Sequence, residues 1–237
     1  MSHTLAHTIW ARPYERPRVL VTMFFPAAMA APGDVFAHYI QIAASAMATP
    51  GHACLTNTRS GSMDQARTKA CVYAIQNNYT HVLMLDADHK HPADIVWRLL
   101  VHNKDVVCGL NFMRQHPHKA CASKDVHVVG QLESGRAHAI HVPPIQNTGL
   151  QKVEGAGSGC IMIRLSCLKK LKQPWFYFPY HDIDFNDLDQ PWAGEDGGFS
   201  TKCLRAGVEL WCDTDLTSPH LGNLWVDKTE VESDKPL

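Results

Sequence analysis

Short apolar runs alternate with helical stripes along the first half of the chain. Residues 18–25, RVLVTMFF, are β-rich and apolar and predict a first core strand. Proline and glycine at Pro26, Pro32 and Gly33 mark a loop. Asp34 then reads as the cap of a helix to about Met47, with Phe36, Tyr39, Ile40 and Ala43 on its inner face. A turn at Pro50-Gly51 leads into a second strand over 52–58. Ser62 or Asp64 caps the next helix, which closes at Asn77-Asn78. The run Val82-Leu83-Met84-Leu85 is short and breaks into Asp86-Ala87-Asp88, the pattern of a strand buried on both faces. A helix over 93–101, with Ile95, Val96, Leu99 and Leu100 inward, precedes a buried strand over 106–110. This alternation predicts an open, mostly parallel α/β sheet flanked by helices, with ligands at the carboxyl ends of its strands.

The second half is less regular. Residues 127–132 and 138–142 predict a hairpin around Glu133-Ser134-Gly135. Gly155, Gly157 and Gly159 feed a strand over 160–163, and 166–171 reads as a short helix. The aromatic segment 174–180, PWFYFPY, is packing or a platform for a sugar or base. A helix begins at Gly194-Glu195-Asp196, and a strand over 208–212 is followed by Asp213, Asp215 and Pro219-His220-Leu221-Gly222. We expect an arm over 1–16, one domain over 17–226 and a frayed tail over 227–237. Within the domain, a first half over about 17–112 precedes a second over about 113–226.

Composition changes this picture little. The 237 residues carry a net charge of −1 and a pI near 6.9, so no polyanionic partner is demanded. No stretch is long or apolar enough to span a membrane, and the first residues lack a leader pattern, so the expected location is cytoplasmic. Eight scattered cysteines read as buried free thiols. His116-Pro117-His118 with Cys121 is a fragment of a zinc pattern without the second half that would complete it.

The chemistry concentrates at a few places. Asp86 and Asp88, two residues apart on the loop after a buried strand, point to one side of the chain. Their charges repel unless a cation lies between them. A hard divalent ion does that and keeps sites free for diphosphate oxygens. The plainer reading is a solvated acidic turn. Arg67 lies early in its helix, against the dipole, either solvated or held near an anion. Glu195 and Asp196 sit at a helix start, where a carboxylate is favoured without any function.

Taken in order, Asp86-Ala87-Asp88, the glycines Gly155–Gly159 before Cys160, Gly194-Glu195-Asp196 with Phe199, and His220-Leu221-Gly222 resemble the GT-A-fold glycosyltransferases, specifically the family 2-like enzymes of bacteria and their phages. The resemblance covers roughly residues 17–225. It implies a GT-A fold and transfer of a sugar from a nucleotide-sugar donor, usually a UDP-sugar, with Mn²⁺ or Mg²⁺. Asp88 and His220 would hold the ion, and Asp86 would serve the ion or the donor ribose. Arg67, Ala87, Thr58 and Phe25 would line the donor, with loops 24–32 and 56–59 beside the base. Gly157, Ser158, Trp175 and Trp192 would face the acceptor. Asp196 would be the general base of an inverting transfer and Glu195 its neighbour orienting substrate. A phage-encoded enzyme would act in the host cytoplasm. The acceptor class stays open among a glycan, a protein side chain and a hydroxymethylated DNA base; the basic stretch 114–119 gives the last its motive. His89-Lys90-His91 departs from the family, which has apolar residues before the proline. Two alternatives are a sugar nucleotidyltransferase, whose phosphate loop after the first strand is missing from 24–32, and a noncatalytic sugar- or metal-binding module.

Overall fold

The computed structural model describes residues 16–25, 33–58, 61–114, 118–131, 137–178, 194–221 and 225–226. The expected arm as far as residue 15, the tail and the loop 26–32 lie outside them. The elements run β1 (Val19–Phe25), α1 (Gly33–Met47), β2 (Ala53–Thr58), α2 (Met63–Gln76), β3 (His81–Asp86), α3 (Ile95–Leu100) and β4 (Val106–Leu110). A hairpin of β5 (Asp125–Gln131) and β6 (Ala137–Val142) follows, paired antiparallel as expected. Then come β7 (Leu150–Val153), β8 (Cys160–Arg164), a 3₁₀ turn (Leu165–Lys170), α4 (Glu195–Arg205), β9 (Leu210–Thr217) and the short strands β10 (His220–Leu221) and β11 (Trp225–Val226).

Seven strands form one sheet in the order β2-β1-β3-β8-β4-β9-β7. β1, β2, β3, β4 and β9 run one way, while β8 and β7 run against them. The fold is therefore the expected mixed α/β class, with a central, mostly parallel sheet flanked by helices. Alternation along β3 explains the two layers. Val82 and Met84 face a core shared with α2, the 3₁₀ turn and α4; Leu83 and Leu85 face a second core shared with α1 and α3. Both faces of β3 are covered, which is why the run is continuously apolar.

Two expectations change. On α1, Tyr39 points inward as expected and is joined by Ile42 and Ala46, while Phe36 and Ile40 are 51% and 53% exposed. The helix offers two apolar stripes, and the one with small Ala46 lets it sit close to the sheet. β9 continues through Asp213 and Asp215 instead of ending before them; His102 Nε2 lies 2.9 Å from Asp213 Oδ2 and makes a buried carboxylate tolerable. The sequence pattern does not mark β7, which is four residues long and half polar. All eight cysteines are free thiols, six of them buried. Among the described residues no helix is long and apolar enough to cross a membrane.

Candidate metal and transfer site

β3 ends between β1 and β8, so Asp86 emerges at the carboxyl edge of the sheet's middle. Its amide donates to Gly159 O at 2.9 Å, and the amide of the buried Ala87 donates to Phe24 O at 3.2 Å. The Asp86 carboxylate accepts from one guanidinium nitrogen of Arg67 at 2.8 and 3.1 Å. Arg67 comes from α2 and is only 1% exposed. Its second terminal nitrogen donates to Ser158 O at 3.1 Å, and its Nε donates to Glu195 Oε1 at 3.0 Å. The guanidinium also stands 5.0 Å over the Phe24 ring. Burial alone would lower its pKa, but Asp86 and Glu195 outweigh burial and raise it. Arg67 is thus a buried cationic knot joining β3, the glycine segment and α4, held near anions rather than solvated. A planar fork of donors suits that task; a lysine point charge would not span it.

Asp88 lies two residues on and belongs to a second cluster. Its Oδ1 is 3.0 Å from His89 Nδ1, and its Oδ2 is 3.2 Å from His220 Nε2. The exposed Arg114 guanidinium stands 3.6 Å away. Burial pushes the Asp88 carboxyl up, but the two imidazoles overcome this and hold it well below the usual carboxylate range. Backbone pairing fixes the cluster: Leu221 N donates to Asp88 O at 2.7 Å and Lys90 N to Pro219 O at 2.9 Å. The rings of His89 and His220 stack with centroids 4.0 Å apart. His220 Nδ1–H donates to Phe112 O at 2.9 Å, which fixes the ring with Nε2 turned toward Asp88. Nε2 has no aligned hydrogen-bond partner, and neither has His89 Nε2. Behind them His91 Nε2–H donates to Asp86 O at 3.1 Å and Nδ1 accepts from Ser218 at 2.9 Å. Burial and the nearby His89 hold His91 down to about 3, so it is a neutral brace.

α4 brings the remaining carboxylates. Gly194 is its cap, so neither Glu195 nor Asp196 is spent on capping. Glu195 Oε1 takes Arg67 Nε–H and lies 3.4 Å from the Ser158 hydroxyl, which donates to it. Asp196 is half-buried; its Oδ1 accepts from the Gly197 amide at 2.8 Å. Burial and the neighbouring Glu195 raise its pKa. The flanking glycines do not leave open room. A Cβ at Gly194 would stand 2.6 Å from Asp196 Oδ1, and one at Gly198 would collide with Tyr177 O. Cys121 marks the convergence: its thiol, raised to about 12 by burial first, is also pushed up by Asp196, Asp86 and Asp88.

The structure therefore unites Asp86, Arg67, Ser158 and Glu195 in one network, with Asp88 and His220 a step along the chain. Gly157 packs on Cys121, where a Cβ would lie 2.6 Å from the Cys121 Cβ. Phe25 is half-buried, edge-on to Tyr39 at 6.2 Å. Thr58 pairs in register with Phe25 at the end of β2, but its side chain lies outside the described residues. Trp175 is not a platform. It is 5% exposed in the core, with its indole N–H donating to Leu168 O at 3.2 Å. Trp192, loop 26–32, Arg59 and Gly222 lie outside the described residues, as do 115–117 of the basic stretch and of the zinc-like fragment.

The sequence pattern does not mark His89, His91, Ser218 or the Phe112 carbonyl as site groups. The two histidines were visible only as a departure from the family pattern.

Asp88, His89 and His220 offer ligand atoms within 4.8 Å of one another. A buried imidazole nitrogen without an aligned partner beside a carboxylate, its ring oriented by a carbonyl on the other nitrogen, fits a divalent cation.

No protein-family model matches the chain. No curated protein matches it either. Among solved structures it is similar to A197 from STIV, with 16% identity, 86% of this chain and 85% of that chain covered, and a TM-score of 0.53. It is also similar to GalNAc-T7 with UDP, GalNAc and Mn²⁺, at 13% identity, with 86% of this chain and 44% of that chain covered and a TM-score of 0.48. A third is a CMP:2-keto-3-deoxy-manno-octonic acid synthetase complexed with CTP, at 10% identity, covering 86% and 92%, with a TM-score of 0.42. The first is a likeness of fold. The other two fall below the level at which a shared fold follows.

Proposed function

We propose that the chain is a metal-dependent glycosyltransferase of the GT-A type, moving a sugar from a nucleoside diphosphate to a hydroxyl acceptor with inversion. One observation carries this reading: the Asp88–His220 pair lies at the carboxyl end of the central strand, joined through Asp86 and Arg67 to the Glu195-Asp196 start of α4. That juxtaposes an ion-holding pair with a base, the two devices glycosyl transfer requires.

Asp88 and His220 would hold Mn²⁺ or Mg²⁺. When bound, the ion neutralises the donor diphosphate as charge develops on the leaving group. Asp86, already committed to Arg67, has its outer face left for the donor ribose or the ion. Ala87 and Phe25 would lie along the donor, UDP-linked in our reading. Arg67 positions Asp86 and Glu195 from behind; it is buried and each of its three nitrogens already donates, so we assign it no direct phosphate contact. Asp196, with its pKa raised yet free of the cap, takes the acceptor hydroxyl's proton. Glu195 fixes the α4 start, and Gly157 and Ser158 shape the acceptor side. A glycan, a protein side chain and a hydroxymethylated DNA base remain the acceptor classes.

The test is incubation with a panel of nucleotide sugars and Mn²⁺, reading the small products. The proposal expects release of nucleoside diphosphate, slowly without acceptor. Pyrophosphate from a nucleoside triphosphate and a sugar phosphate would make it a nucleotidyltransferase. Donor binding without turnover under any condition would make it a binding module.

A further inference from the structure

We propose that His89 is a third protein ligand of the ion, which makes the centre a two-imidazole, one-carboxylate site that loads its metal before any nucleotide arrives. This rests on the reading of Asp88 and His220 as ion ligands and specifies which ion they take.

The distances suit it. Ligand atoms about 2.1 Å from an ion and at right angles to one another are about 3 Å apart. Asp88 Oδ1 to His89 Nδ1 is 3.0 Å, and Asp88 Oδ2 to His220 Nε2 is 3.2 Å. Each has the length of such an edge, His89 against one carboxylate oxygen and His220 against the other. His89 is also an expensive residue if it does nothing but pack. It is 5% exposed, stacked on another imidazole, and its Nε2 has no partner. A buried polar atom left unpaired works against folding.

The surroundings account for the second nitrogen. With Nδ1 on an ion, the ring proton moves to Nε2 and needs an acceptor. The Asn111 side chain is buried, and neither its oxygen nor its nitrogen has a partner. It packs with His89 around Gly159: a Cβ there would stand 2.8 Å from Asn111 Nδ2 and 3.3 Å from His89 Nε2. Bordering the same glycine and with its oxygen unpartnered, Asn111 would be the acceptor for that proton, the arrangement that metal-bound imidazoles ordinarily have.

The consequence is selectivity. Mg²⁺ prefers oxygen and keeps its waters, whereas two imidazoles favour Mn²⁺ and the later first-row ions. A site with one carboxylate and one imidazole would depend on the nucleotide's phosphates to complete it; three protein ligands do not.

The experiment uses the full chain labelled with ¹⁵N-histidine, stripped of metal, titrated with Mn²⁺ alone and read by pulsed EPR. We expect binding without nucleotide and couplings from two histidine nitrogens, with Mg²⁺ at equal concentration failing to displace Mn²⁺. His89→Asn, which keeps a polar group toward Asp88, should leave one coupling and weaken Mn²⁺ binding by at least about tenfold. A single coupling in the unsubstituted protein, or ready displacement by Mg²⁺, overturns the inference even if the chain transfers sugar. Two couplings in a chain that turns over no nucleotide sugar would uphold the site and sink the transferase reading.

Discussion

Arg67 and Glu195, 128 residues apart in the chain, meet at 3.0 Å inside the protein, and the same guanidinium holds Asp86 at 2.8 Å. The strand that carries one half of the proposed site and the helix that carries the other are thus fastened by one buried cation.

Removing that cation leaves two carboxylates facing each other without compensation. Arg67→Met should cost about 3–5 kcal/mol and lower Tm by roughly 10 °C, measured by calorimetry at neutral pH. Adding Glu195→Gln to it should recover part of the loss, because one of the stranded charges is gone. An unchanged Tm in Arg67→Met would mean that the knot is not structural.

Asp196 separates chemistry from stability. Its carboxyl has a raised pKa from burial and Glu195, so the folded state binds its proton more tightly than the unfolded chain does. Above that folded pKa the ionised form works against folding, and the favourable contribution is complete only below the unfolded pKa. Asp196→Asn should therefore keep or slightly raise Tm at neutral pH while lowering turnover by ~10²–10⁴-fold. In the unsubstituted protein the acid limb of the rate profile should lie above the ordinary carboxylate range and vanish in the variant. Near-normal turnover by Asp196→Asn would remove it as the base.

At the opposite edge of the sheet two histidines make stability fall in acid. His81 is held down to about 4 from 6.5, first by burial, then by Arg164 and His52. His52, whose Nδ1 accepts the Val19 amide at 3.0 Å, is lowered by burial as well. The unfolded chain takes these protons and the folded one refuses them, so stability declines as pH falls from 6.5 to about 4. The slope from His81 is about 1.4 kcal/mol per pH unit. Denaturant midpoints across that window should show it, and His81→Asn should flatten it; an equal slope in the variant would contradict the assignment.

What the sequence made legible was local. The run Val82–Leu85 and the carboxylates after it declare a buried strand and its exit, and residues 155–159 declare a close-packed segment before β8. What it hid depends on distant partners. Nothing near Arg67 says that it is buried, because its acceptors lie 19, 91 and 128 residues away. Asp213 reads as the end of a strand until His102 is brought to it. α1 carries two apolar stripes, and only packing against the sheet selects Tyr39 and Ile42 over Phe36 and Ile40. His89 looked like a flaw in a pattern; the β-bridge to His220 gives it a place.

The most direct test of the account is transfer itself under control of the ion pair. Nucleoside diphosphate release from the preferred nucleotide sugar should be followed in the unsubstituted protein, after chelation, after Mn²⁺ is restored, and in Asp88→Ala. The account predicts turnover that chelation abolishes and Mn²⁺ restores, with Asp88→Ala folded and inactive at every Mn²⁺ concentration. Turnover that survives both chelation and Asp88→Ala would contradict it.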